Sequence, residues 1–228
     1  MTVYALGDYH GRSIEGFIEN EQPFEGDLIL STGDFDNVEV IHEILELKQD
    51  TEFIDVGANH DHAMLERKPI TSGTLEAQEY SFQELAEELN RDDQARRYLQ
   101  DLVANPVREF SLGDMSGVLV HGGLDGHIQS PRTPENVKKL WYRLWDDEDY
   151  RKNFSAMDRN NYDLMVRGHD HRREHVLSPD TFDLEYGTGD KTYDLGQEGF
   201  HLITHGSWYE GDYAVIDEQE ETLEFKSI

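Results

Sequence analysis

The spacing of apolar positions changes repeatedly along the first quarter of the chain. Val3-Tyr4-Ala5-Leu6 is a continuous apolar run and predicts a strand. Leu28-Ile29-Leu30, within 27–32, and Phe53-Ile54, within 52–56, predict two more. Between them, 13–20 reads as a short helix with Ser13 as its N-cap, and 38–48 repeats Val40, Ile41, Ile44, Leu45 and Leu47 at helical spacing. This β-α-β-α-β order predicts neighbouring, mostly parallel strands. The segment from Thr71 to Asn105 is polar and then helical, carrying Phe82, Leu85, Leu89, Tyr98, Leu99 and Leu102. Strands are expected over 108–112 and 117–120, and one or two helices over 134–154, with Trp141 and Trp145 in the core or a pocket wall. Further strands are expected over 164–166, 171–177, 182–186, 200–204, 213–216 and 222–225. Helices alternating with strands early, and mostly strands later, predict two packed sheets with helices outside.

Polar residues collect where these strands end. The exits read Gly7-Asp8-Tyr9-His10-Gly11, Gly33-Asp34-Phe35-Asp36, Gly57-Ala58-Asn59-His60-Asp61, His121-Gly122-Gly123 and Gly168-His169-Asp170-His171. In open α/β sheets that edge is where ligands bind. One Gly-Asp pair means a turn, and one His is usually a hydrogen-bonded structural residue; a series of them after successive strands points to a site. An extended exit would aim Asp8 and His10 the same way. Carboxylates, imidazoles and an amide, without thiolates, suit Mn²⁺, Fe²⁺, Co²⁺, Ni²⁺ or Zn²⁺, whereas Ca²⁺ and Mg²⁺ prefer all-oxygen sets. The donors are too many for one ion and suit two with a bridging carboxylate.

Composition narrows the class. The chain of 228 residues has 49 Asp plus Glu against 20 Lys plus Arg, a formal net charge of −29, and no Cys. Disulfides, zinc–thiolate sites and thiol nucleophiles are excluded. The acidic residues are dispersed, as in Glu84/Glu87/Glu88, Asp146-Asp147-Glu148-Asp149 and Asp217-Glu218. Dispersal of this kind predicts a surface adapted to a salt-rich cytoplasm, because at ~1 M salt the screening length falls to about 3 Å. Basic residues form only short pairs, such as Arg96-Arg97, Lys138-Lys139 and Arg172-Arg173, so no stable nucleic-acid complex is expected. The first residues lack a signal-peptide pattern, and no window approaches the roughly 18 apolar residues of a membrane span. A soluble cytoplasmic protein with no membrane partner is expected.

Asp8-x-His10-Gly11, Gly33-Asp34, Asn59-His60-Asp61, His121-Gly122-Gly123 and Gly168-His169-x-His171, in this order, resemble the calcineurin-like metallophosphoesterase superfamily from residue 4 to about 216. The resemblance implies an α/β fold, a four-layer αββα sandwich of two mixed β-sheets flanked by helices. It implies one domain over 1–228, in which 67–105 would form either a helical cap or a peripheral helix pair. By motif match, Asp8, His10 and His171 hold one divalent ion, Asn59, His121 and His169 hold a second, and Asp34 bridges them. Mn²⁺ is the first expectation for both, with Fe, Co, Ni or Zn as alternatives. His60 matches the family's catalytic histidine, beside the metals. Asp61 follows it and is expected either to orient the His60 ring or raise its pKa, or to lie at the surface. Arg12 is weighed as a structural residue or a phosphate contact.

The implied activity is hydrolysis of a small-molecule phosphate ester by in-line attack of a metal-bridging hydroxide. Ala58 between Gly57 and Asn59 departs from the usual Gly-Asn-His. The Arg of the Ser/Thr protein phosphatase branch is missing after Asp34, although "VHGGL" at 120–124 resembles that branch. "ITHGSWYEGDYAVID" from Ile203 resembles the ending of the small bacterial and archaeal phosphodiesterase branch, which places His205-Gly206-Ser207 at the site floor. These features favour a phosphodiesterase. A nucleotide or diadenosine-polyphosphate phosphatase is the second reading, and a non-catalytic metal-holding scaffold a third.

Overall fold

Alternation along the first strand sets the layering. In β1 (Thr2–Leu6), Val3 and Ala5 belong to one apolar cluster and Tyr4 and Leu6 to another, so both faces of the strand are covered. The computed structural model describes residues 1–66, 83–128, 135–180, 183–189 and 191–228. Helix α1 (Glu15–Glu21) leads to β2 (Leu28–Ser31), and α2 (Val38–Leu47) to β3 (Glu52–Asp55). Helix α3 (Asn59–Glu66) follows, then α4 (Gln83–Leu89) and α5 (Asp93–Ala104). Strands β4 (Val107–Leu112) and β5 (Met115–Val120) form a hairpin; β6 (His127–Ile128) pairs with β7 (Tyr142–Arg143). After α6 (Asp147–Asn160) come β8 (Leu164–Arg167), β9 (Arg173–Ser178), β10 (Glu185–Thr188), β11 (Thr192–Asp194), β12 (Phe200–His205), β13 (Asp212–Asp217) and β14 (Thr222–Ser227).

Among the described residues these strands make two mixed six-stranded sheets, ordered β11-β14-β13-β1-β2-β3 and β10-β9-β12-β8-β5-β4. Strands β1, β2 and β3 run parallel, as the alternating pattern predicts, and so do β5, β8 and β12. The sheets meet through Val3, Ala5, Leu28, Leu30, Leu119, Leu164, Val166 and Ile203. The outer face of the first sheet buries Tyr4, Leu6 and Ile29 against Phe17, Ile41, Ile44, Leu99 and Leu102 of its helices. The outer face of the second buries Val118, Met165 and Leu202 against Tyr150, Phe154 and Met157 of α6. This is the α/β sandwich expected, with helices outside two sheets.

The differences are local. The helical reading of 134–154 gives way to a 3-10 turn over Glu135–Leu140, then β7, and a helix that begins only at Asp147. The acidic run is the reason: the Asp146 side chain accepts the Glu148 and Asp149 amides at 3.0 and 3.1 Å, and Asp147, Glu148 and Asp149 face the positive helix end. Trp145 lies before this cap and is 58% exposed, not core. Of the expected cap region, 67–82 lie outside the described residues; in 83–104, Leu89, Ala95, Leu99 and Leu102 are buried in the first sheet's outer cluster. No helix among the described residues is long and apolar enough to cross a membrane.

The net charge of −29 predicts strong self-repulsion. Raising KCl from about 0.1 to about 1 M, which shortens the screening length from about 10 to about 3 Å, should raise the thermal midpoint by several degrees. A midpoint that stays level or falls in a differential-scanning series would contradict this.

Candidate metal centre

Three exit turns share one unusual local conformation. Asp8 and His10 have φ of 52° and 45°, Asp34 and Asp36 have 62° and 51°, and His169 and His171 have 71° and 50°. The exits are therefore left-handed at alternate residues, not extended. Asp and His tolerate this region better than most side chains, yet each such residue costs about 1–3 kcal/mol. The middle residue of each turn holds the turn. Tyr9 and Phe35 stack at 5.2 Å and 10° between the first and second turns. Asp170, in the third, is bound by Arg167 at 2.7 Å. The residues on either side are thereby turned toward a common point.

Backbone bonds set the turns against one another. The Asp8 amide donates to the Gly33 carbonyl (2.9 Å), His10 to Asp34 (2.8 Å) and Gly11 to Phe35 (2.9 Å). The His169 amide donates to both Asp8 carboxylate oxygens at 3.1 Å, which links the edges of the two sheets. At Gly168 a Cβ would collide with that carboxylate and the Thr32 hydroxyl, so this approach requires glycine. The segment after β12 closes the floor, as its sequence predicts. His205 Nε2 meets Thr32 Oγ1 at 2.8 Å, and the Ser207 hydroxyl and Tyr209 amide both donate to the Asp8 carbonyl at 3.1 Å. Arg12 is structural: it donates to the Trp208 carbonyl at 3.0 Å and lies over the Trp208 ring.

Three donor groups form among the described residues: Asp8/His10/His171, Asp34/His121/His169, and His10/Asp36/His60, which shares His10 with the first. In the first, His10 Nε2 and His171 Nε2 are 3.2 Å apart, and His171 Nε2 is 3.3 Å from Asp8 Oδ1. In the second, His121 Nε2 lies 3.0 Å from His169 Nδ1 and 2.8 Å from Asn59 Oδ1. One oxygen, Asp34 Oδ2, reaches both of these groups, 3.9 Å from His10 Nε2 and 3.6 Å from His121 Nε2.

The donor chemistry fits divalent ions. His121 Nδ1 donates to the Thr32 carbonyl at 2.7 Å, so its Nε2 presents a lone pair directly to the Asn59 oxygen. His10 Nδ1 donates to Asp36 at 2.8 Å, so its Nε2 presents a lone pair to His171. Between His121 Nε2 and the Asn59 oxygen, facing lone pairs repel without a cation between them. Nitrogens roughly 3 Å apart are what a shared ion with bonds of about 2.0–2.1 Å at near-right angles requires.

Charge in the pocket is equally polarised. Burial opposes ionisation of Asp8, but the hydrogen bond and charge of His171 hold its carboxyl well below the usual range. Burial pushes Asp34 well above it, with Asp8, Asp61 and Asp36 adding to the shift. Burial lowers His121 to about 3 and His205 to about 4, and lowers His169 strongly with the Arg143 charge adding. These rings are neutral at pH 7, as ligands must be. His171 is the exception: burial works against its charged form, but Asp8 outweighs it and raises the pKa.

Beside the first two groups lies His60, whose Nδ1 meets Asp36 at 2.8 Å while its amide donates to Asp34 Oδ1 at 3.0 Å. Asp36 thus holds both His10 and His60. Its position two residues after Asp34 repeats the Asp8-x-His10 spacing, the signal by which sequence reading could have assigned it. Asp61 is placed differently from either expectation. It is fully buried, and its carboxylate accepts the Asp34 and Phe35 amides at 3.1 Å and the Ala58 amide at 2.9 Å. It sets the second and third exit loops against each other, while Asp36 takes the His60 ring. Burial pushes its carboxyl up to about 6 in spite of the three amides. The strand-exit geometry expected for Asn59 and His60 is in fact the first turn of α3.

The sequence matches the profile of the calcineurin-like phosphoesterase superfamily domain over residues 1–190. The chain belongs to this superfamily. The superfamily is one of metal-dependent phosphoesterases that also includes non-catalytic members, and the donor groups described here are consistent with divalent ions. Among solved structures it is similar to a metallophosphoesterase from Sphaerobacter thermophilus, at 18% identity and a TM-score of 0.70, with 100% of this chain and 88% of that one covered. It is also similar to the hypothetical protein PH1004 from Pyrococcus horikoshii OT3, at 14% identity and a TM-score of 0.65, covering 100% and 87%. At these identities the likeness shows the fold alone. No curated protein matches the chain.

Asp61→Ala strands three buried backbone donors and should cost roughly 3 kcal/mol or more in a urea titration of the metal-free protein; a loss below about 1 kcal/mol would deny Asp61 its structural role. Metal binding must displace the proton that Asp8 holds on His171, so Mn²⁺ affinity should fall as pH drops below neutral. Calorimetry in buffers of different ionisation enthalpy checks this, and a binding heat independent of buffer would contradict it.

Proposed function

We propose that this chain is a dinuclear metal-dependent phosphoesterase acting on small-molecule phosphate esters, with diesters preferred. The observation that carries the reading is the position of Asp34 Oδ2 within 4 Å of a histidine from each donor group, the arrangement a bridging carboxylate needs. Asp8, His10 and His171 would hold one ion, and Asn59, His121 and His169 the other, Mn²⁺ being the first candidate. When bound, the pair supplies a nucleophile from water at neutral pH and neutralises phosphate oxygens.

The remaining work falls to side chains of the chain itself. Asp36 accepts from Nδ1 of His60 and fixes the ring, so that in the imidazolium form Nε2 carries the proton given to the departing ester oxygen, leaving the neutral ring protonated at Nδ1. The same carboxylate orients His10 through its Nδ1, so that general acid and metal ligand share one anchor. Thr32 fixes the His121 tautomer through its carbonyl. Asp61 holds the second and third exit loops in register, and so acts on catalysis only through position. The ending "ITHGSWYEGDYAVID" and the missing Arg after Asp34 support the small phosphodiesterase branch over the protein phosphatase branch.

The test is hydrolysis of bis-p-nitrophenyl phosphate and of p-nitrophenyl phosphate in high KCl with Mn²⁺, before and after chelation. Chelator-sensitive turnover with the diester preferred is expected. His60→Ala should keep both metals by elemental analysis and lose roughly 10²–10⁴-fold in kcat. Preference for the monoester would reverse the diester assignment, and turnover unchanged in His60→Ala would remove its role as general acid.

A further inference from the structure

Asp170, the middle residue of the His169-x-His171 turn, draws three guanidinium groups to one carboxylate. Arg167, fully buried, places Nη1 at 2.7 Å from Oδ2. Arg172 places Nη2 at 3.5 Å from the same oxygen. Arg143 places Nη1 at 3.3 Å from Oδ1. Asp170, together with the buried Glu174 carboxylate that acts on Arg172, balances two of these three charges. A local positive surplus therefore lies against the third exit turn, in a chain whose net charge is −29.

The three arginines are not equivalent. Arg167 also donates from Nε to the Gly122 carbonyl at 2.7 Å and serves the architecture of the turn. Arg172 spends its Nη2 on the Leu144 carbonyl at 2.8 Å. Arg143 stands on β7, and its side chain is 34% exposed. Its Nη1 rests on the His169 carbonyl and Asp170, both at 3.3 Å; among the described residues its Nε and Nη2 make no hydrogen bond. One corner of the guanidinium is thus anchored to the backbone of a candidate metal ligand. Among the described residues the Nε/Nη2 edge, the edge that binds a carboxylate or phosphate through two parallel bonds, is unfilled. No sequence motif marks this residue, because "WYRLW" carries neither the spacing nor the glycines of the exit turns.

We propose that Arg143, with Arg172 supplying the balancing charge on Asp170, forms an anion subsite beside the metal centre. The substrate is accordingly a phosphate ester that carries a second anionic group, a phosphate or carboxylate, bound by the Nε/Nη2 edge. This rests on the phosphoesterase reading for the group at the metals. The subsite itself is read from the guanidinium alone. It also accounts for strong arginine placement near the site in a chain with few basic residues, where an anionic substrate would otherwise meet an acidic surface.

The experiment measures equilibrium binding of thymidine 3′,5′-bisphosphate and thymidine 5′-monophosphate to the full Mn²⁺-loaded chain by calorimetry. The wild type should bind the bisphosphate about tenfold more tightly. Arg143→Gln should bring the two affinities within about twofold. Arg143→Lys keeps the charge beside Asp170 but loses the paired donors, and should fall between them; it also decides the matter if the Gln variant does not fold. Each preference is a ratio within one protein, so a general loss of folded material cancels. Equal affinities in the wild type, or a preference unchanged in both variants, would overturn the subsite. Diester turnover is read separately. Failure of turnover with the binding preference intact would reject the phosphoesterase reading and keep the subsite, and turnover without the preference would do the reverse.

Discussion

The site depends on backbone held where side-chain-bearing residues rarely go. Asp8, His10, Asp34, Asp36, His169 and His171 all take left-handed conformations, in three turns with the same alternate spacing. Together they store several kcal/mol of strain, at about 1–3 kcal/mol for each residue. The strain persists because the middle residues are locked: Tyr9 on Phe35, and Asp170 on Arg167. Two stacked rings and one ion pair thus aim six polar side chains. The sheets beneath supply a rigid base, since β1, β2, β5, β8 and β12 all end at this edge.

Electrostatics follows from that aim. Asp8, Asp34, Asp36 and Asp61 lie in one pocket, where burial, with like charges adding, raises Asp34 and Asp61, while histidine partners outweigh burial and lower Asp8 and Asp36. Burial keeps His121 and His169 neutral. Such a pocket is poor in positive charge of its own and rich in lone pairs, which makes cation binding the natural relief. Hydrogen bonds outside the donor groups choose which nitrogen faces inward: the Thr32 carbonyl for His121, and Asp36 for His10. The ligands alone would not determine this.

Much of this was legible because it is local. Gly-Asp and Gly-His pairs after apolar runs announce tight turns at strand ends, and their repetition announces a site. The β-α-β-α-β rhythm announces parallel strands and therefore a shared edge. Other features escaped for physical reasons. Asp36 and Asp61 have the same side chain and similar sequence settings. Only the three amides around Asp61, and the two rings around Asp36, separate a loop clamp from a histidine anchor. The helical pattern over 134–154 was misleading because Asp146 caps a helix in the middle of it. Arg143 carries no motif, and its position depends on the pairing of β6 with β7.

The sequence by itself determined the kind of chain this is: alternating elements, strand-exit donors without thiolates, and the superfamily to which they belong. Apolar periodicity and glycine placement act within a few residues, so they can be read in one dimension. The tertiary structure alone decided which donors share a point, that Asp34 reaches both groups, that Asp61 holds loops while Asp36 holds rings, and that three arginines converge on Asp170. Most of these facts depend on contacts between residues 24 to more than 160 positions apart, such as His60 with Asp36 and His169 with Asp8. No local pattern encodes such distances. They arise only when two sheets pack and their edges come together.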